Sequence, residues 1–139
     1  ELAQARMMSA IPDADVIITN PEHFSVALKY DPEGLSAPVV VAKGADQTAI
    51  KIREVAIAHQ VPIMQSPPLT RAVFYSTEID EVIPAKLYLA VAQILAYIYQ
   101  LRQRPSYRLS PGPIRNSELN RQIEIPEELQ FDAAGDLVR

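Results

Sequence analysis

Asp15-Val16-Ile17-Ile18-Thr19-Asn20-Pro21-Glu22-His23-Phe24-Ser25-Val26-Ala27-Leu28-Lys29-Tyr30 is a pair of β-prone runs hinged on a short polar stretch. The flanking runs, Val16–Thr19 and His23–Tyr30, are β-branched and apolar enough to be strands one and two. Asn20-Pro21-Glu22-His23 between them has two readings. One is an ordinary reverse turn, for which Asn and Pro are common residues. The other is chemical. The carboxamide nitrogen of an Asn can attack the residue's own backbone carbonyl, close a succinimide and expel the amine of the next residue. The competing reaction is deamidation, which needs the backbone N–H of the following residue, and Pro21 has none. Proline also drives the preceding residue toward extended dihedrals. A turn holding Asn20 near attack geometry could contribute ~7–11 kcal/mol of the barrier by pre-organisation. His23 is close enough in sequence to carry a proton, an effect typically worth ~100–10,000-fold.

Working outward, Glu1–Ala10 reads as a short helix with a weak stripe of Leu2, Ala5 and Met8, ended by Pro12. Asp31–Pro38 is rich in turn formers, and Val39–Lys43 is an apolar third strand forming a hairpin with the second. Asp46 is the expected N-cap of an amphipathic helix carrying Ala49, Ile50, Ile52, Val55, Ala56 and Ile57. His59 near its end is solvated or complements the helix dipole. Lys43-Gly44 ahead of that helix falls short of a phosphate loop, since one glycine does not make the cradle. Ile63-Met64-Gln65 is a short fourth strand, reached by a helical crossover that predicts a mixed sheet.

Pro67-Pro68 opens a further helix, Leu69–Tyr75, because proline suits a first helical turn. Pro67, Pro68 and Leu69 are either a structural cap or a rigid ledge offered to a partner. Pro84 precedes the longest helix, Ala85 to about Arg102, whose Leu87, Val91, Ile94, Leu95, Ile98 and Leu101 make one core face. Tyr88, Tyr97 and Tyr99 spread around it. From Gln103 the character changes. Pro105, Pro111, Gly112 and Pro113 interrupt any regular element, so 103–139 reads as a flexible Pro-rich tail in which Ile125–Leu129 forms a helical turn or a linear motif.

The fold class is therefore α/β: a four-stranded mixed sheet over residues 11–102, surrounded by about four helices, with residues 1–10 as a helical linker and an extended flexible tail. Composition narrows the function. A net charge of −4 is no footprint of a nucleic-acid binder. The absence of cysteine excludes disulfides and thiolate chemistry, and neither histidine has ligands at metal spacing, so no metal or cofactor is expected. No run reaches the ~18–20 apolar residues of a membrane span. Beginning at Glu1, the chain reads as an excised piece.

Asn20-Pro21-Glu22-His23 with its following strand resembles the Asn-Pro-Thr-His signature of the FlhB/YscU family, with Glu22 standing where Thr is usual. Val39–Gly44, Ile52-Arg53, Val61-Pro62-Ile63, Pro67–Tyr75, Ile83-Pro84 and Leu87–Ala92 continue the resemblance in order, over roughly residues 1–102. It implies the cytoplasmic domain of an inner-membrane export-gate protein of flagellar or type III secretion systems, the flagellar branch being favoured, with the membrane domain lying N-terminal to this chain. It further implies self-cleavage between Asn20 and Pro21, with His23 as proton carrier, in a single intramolecular event. Such cleavage switches export from early rod, hook or needle substrates to late ones. The implied partners are export substrates, a ruler protein, chaperones and components of the export gate and ATPase complex. The alternative is a docking module that never cleaves and binds through Pro67-Pro68-Leu69 and the tail.

Overall fold

Val16, Ile17 and Ile18 are consecutive in β1 (Val16–Asn20), and all three are fully buried. A strand points alternate side chains to opposite faces, so such a run requires both faces of the sheet to be covered. The computed structural model, which describes residues 2–21, 23–30, 33, 37–108 and 112–138, meets that requirement with a four-stranded sheet between two helical layers. The strand order is β3 (Val39–Ala45), β2 (Phe24–Lys29), β1, β4 (Ile63–Gln65). β1 runs antiparallel to β2, which runs antiparallel to β3, while β1 and β4 are parallel. The sheet is mixed, as its sequence predicts.

On one face Val16, Ile18, Val26, Leu28, Val40 and Met64 meet the buried sides of α3 (Pro67–Ser76) and α4 (Tyr88–Arg102). On the other, Ile17, Ala27, Ala42 and Ile63 meet Ile11 and the Ile52 and Ala56 of α2 (Asp46–Ala58). The predicted α4 stripe holds at Val91, Ile94 and Ile98, with Leu87 in a short 3-10 turn, Ala85–Leu87, that leads into the helix. α1 (Leu2–Ala10) has no buried residue, though Met7 and Met8 lean on the second cluster.

Three differences from the sequence reading have physical causes. The second strand starts at Phe24 and ends at Lys29, because the His23 N–H turns back to the Asn20 carbonyl instead of joining the ladder. Asp46 is not the N-cap: Ala45 holds that position, and Asp46 is the first helical residue, with a left-handed φ of 51°. The third concerns the tail. Residues 112–138 lie on the domain, with α5 (Ser117–Gln122) and a 3-10 turn at Glu127–Leu129. Ile114, Leu119, Ile123, Ile125 and Leu129 pack against the first cluster, so single apolar residues between the prolines find places on a body already formed.

This segment also closes a sheet edge. Ile114 bridges Met64, with the Gln65 N–H donating to the Ile114 carbonyl at 2.8 Å and the Ile114 N–H to Ile63 at 2.6 Å. At the opposite edge Val82 bridges Val39. Covered edges deny a template to other chains. The turn-rich stretch at Asp31–Pro38 falls mostly outside the described residues, as do Glu22 and Pro111.

Candidate functional site

Asn20 ends a strand that is central in the sheet, and Pro21 and His23 leave that strand into solvent. The backbone up to Asn20 has little freedom. Ser66, at the head of α3, donates its N–H to the Thr19 carbonyl at 3.0 Å, and Asn20 itself pairs with Phe24. Asn20 is 9% exposed, and its carboxamide makes no hydrogen bond to another described residue.

Across the turn, the His23 N–H donates to the Asn20 carbonyl oxygen at 3.1 Å. That oxygen belongs to the bond that would break. A donor placed there favours negative charge on oxygen, the charge that grows when a nucleophile adds to the carbon. The His23 carbonyl in turn accepts from the Asp46 N–H at 2.9 Å, so His23 is fixed through both of its backbone polar groups. Its ring is exposed beside Phe24, with centroids 6.2 Å apart. Phe24 continues into an aromatic stack: 4.4 Å to Phe74 and 5.6 Å to Tyr75, which lies 5.4 Å from Phe131.

The Pro67-Pro68-Leu69 ledge divides. Leu69 is fully buried in the core and offers nothing to a partner, Pro68 is exposed, and Pro67 is half-buried. Pro67 borders an open cavity of about 330 Å³ together with Gln65, Arg115, Asn116, Asn120 and Arg121. The Ser66–Thr19 hydrogen bond places this helix start against the strand that carries Asn20, so the turn and the helix start are neighbours. His59 is elsewhere, at the C-terminal end of α2. Lys43 is occupied by the Phe74 carbonyl at 2.8 Å and Glu78 at 3.0 Å, and acts as a cap on the end of α3. Among the described residues no group of three or more His, Cys, Asp or Glu side chains could hold a metal ion. Sequence reasoning missed the Asp46 amide and Ser66. Both reach the turn only through tertiary structure, and no local pattern marks them.

A three-layered α/β domain, its sheet covered by helices on both faces and an Asn-Pro turn leaving its central strand, defines the class. The chain belongs to the family described as FlhB HrpN YscU SpaS, whose model it matches over residues 1–98. It is 48% identical over 129 residues to the flagellar biosynthetic protein FlhB of Salmonella typhimurium, a match covering 93% of this chain and 32% of that protein. It is 48% identical over 104 residues to FlhB of Bacillus subtilis, covering 75% of this chain and 29% of the relative. The crystal structure of the cytoplasmic domain of FlhB from Shewanella putrefaciens superposes with a TM-score of 0.76 at 45% identity, covering 92% of this chain and 99% of that one. The chain spans about a third of the length of the curated relatives it matches. Among the described residues no helix is long and apolar enough to cross a membrane.

Proposed function

We propose that this chain is the cytoplasmic part of a bacterial inner-membrane export-gate protein of the flagellar type, and that it cleaves itself between Asn20 and Pro21. The observation that carries the reading is Asn20 at the end of a strand pinned by the Ser66–Thr19 bond, its own carbonyl oxygen receiving the His23 N–H at 3.1 Å. Asn20 Nδ2 adds to the Asn20 carbonyl carbon. The new C–N bond closes a succinimide, the bond to Pro21 breaks, and the proton lost by Nδ2 ends on the Pro21 nitrogen, with the His23 imidazole as carrier. Water later opens the succinimide. The reaction is a single turnover and consumes the site.

Cleavage relaxes the turn and alters the surface around it, and the switch from early rod or hook substrates to late ones follows from that change. Export substrates, a ruler protein that reports length, chaperones and the other gate and ATPase-complex components are the partners that read it. The test is denaturing mass spectrometry of freshly made protein. Two chains, 1–20 and 21–139, are expected, summing to the intact mass while the succinimide persists and to that mass plus one water once it opens. Asn20→Ala is expected to remain one chain with an unchanged circular dichroism spectrum. An unbroken chain in the unaltered protein after prolonged incubation at neutral pH would leave a docking module with no chemistry.

A further inference from the structure

We infer that Asp46 is a positioning residue for chain breakage at Asn20-Pro21, acting through its backbone amide and not through its carboxylate. The inference rests on the self-cleavage reading above and assigns what holds the far side of the turn. The near side is held by β1, but His23 lies outside β2, and nothing in the ladder fixes it. Its N–H is directed at the Asn20 carbonyl, and what holds it there is the hydrogen bond that its own carbonyl accepts from Asp46 at 2.9 Å.

That bond depends on an uncommon conformation. Ala45 is still extended, with φ −116° and ψ 155°, and pairs with Phe24 as the last residue of β3. Asp46 then turns to a left-handed φ of 51° and begins α2 at once, with its amide facing the hairpin. Left-handed dihedrals crowd Cβ against the carbonyl, least for Gly, moderately for Asn and Asp, and most for β-branched residues. The block that carries the amide is rigid. Ser25 Oγ donates to the Ala49 carbonyl at 3.1 Å, and Arg53 donates to Ser25 Oγ at 3.1 Å, so the first turns of α2 are tied to β2 directly behind the hairpin. Gly44 allows the closeness, since a Cβ there would stand 2.3 Å from Thr48 Cγ2. A shift of His23 displaces the donor on the scissile carbonyl and the proton carrier together, and misplacement by an ångström can cost about 100-fold in rate.

The test orders substitutions by their tolerance of the left-handed conformation. The full chain is made by cell-free synthesis, so that time zero is uncut, and appearance of 21–139 is followed by denaturing mass spectrometry. Asp46→Gly and Asp46→Asn keep both conformation and amide, and are expected to cleave within about two-fold of the unaltered chain. Asp46→Val is expected to be slower by about 10–100-fold, and Asp46→Ala to fall between. Gln60, beyond the other end of α2, has a similar φ of 59° and lies away from the turn, so Gln60→Val controls for strain in general and is expected to leave the rate unchanged. Three results overturn the inference alone: Asp46→Val and Asp46→Ala both cleaving at the unaltered rate, Gln60→Val slowing cleavage as much as Asp46→Val, or Asp46→Gly being as slow as Asp46→Val. The last would assign the effect to the carboxylate. An unaltered chain that never cuts overturns the cleavage reading and this inference with it.

Discussion

At the scale of residues, His23 has two separable parts. Its ring can move a proton, while its N–H sits on the Asn20 carbonyl whatever the side chain is. His23→Ala therefore removes only the first. The expected result is cleavage slowed by about 100–10,000-fold but not abolished; an unchanged rate would remove the ring from the mechanism. Pro21→Ala differs in kind. It restores an N–H at position 21, so deamidation competes and mass spectrometry should find a deamidated, uncut fraction beside slower cleavage. Asn20, Pro21 and His23 are proposed from the sequence itself because the chemistry is local: the succinimide would close within Asn20, and the leaving group and proton carrier follow within three positions. Asp46 is not, because its amide reaches His23 only after β2 and β3 have paired.

At the scale of elements, the three long strands and the α4 stripe could be read from apolar periodicity, which reports burial directly. The segment after Gln103 could not. Its apolar residues are spaced irregularly among prolines, and Ile114, Leu119, Ile123, Ile125 and Leu129 are placed by contacts on the finished body. The last stretch shows how. Arg71 donates to the Phe131 carbonyl at 2.6 Å, Tyr75 donates its hydroxyl to the Ala133 carbonyl at 2.7 Å, and Gly135, with φ 89°, lies where a Cβ would come within 2.8 Å of the Tyr75 ring. Burial, with the negative charges of Asp132 and Asp136, holds the Tyr75 hydroxyl above its ordinary value of 10.0. The neutral form is thus the one the folded state prefers. Its contribution is complete below the unfolded pKa and is lost as pH rises through the higher folded one. Tyr75→Phe is expected to cost about 1 kcal/mol and to remove a step in the stability of the C-terminal stretch above pH ~10, read by hydrogen exchange below that pH and by ultraviolet titration across it. An identical alkaline profile in the variant would assign that step to another tyrosine.

At the scale of the whole molecule, the question is what a cut between Asn20 and Pro21 releases. The smaller piece, 1–20, carries β1, which lies between β2 and β4 with five residue pairs to the first and three to the second. It also carries Ile11, Val16, Ile17 and Ile18, all without exposed surface. Burying side chains of this size contributes ~1.5–3 kcal/mol each, so about 6–12 kcal/mol holds the piece before hydrogen bonds are counted. Both new chain ends are tied down as well, one by the Thr19–Ser66 bond and the other by the His23–Asp46 bond. Cut protein should therefore elute from a sizing column as a single species of unchanged volume and separate only in denaturant. Its unfolding becomes a dissociation, so its melting temperature should rise with protein concentration, while that of Asn20→Ala should not. If 1–20 were instead lost on dialysis under native conditions, β1 could not be the clasp that keeps the domain whole. The altered surface would then be the exposed edges of β2 and β4, and no longer a loosened turn.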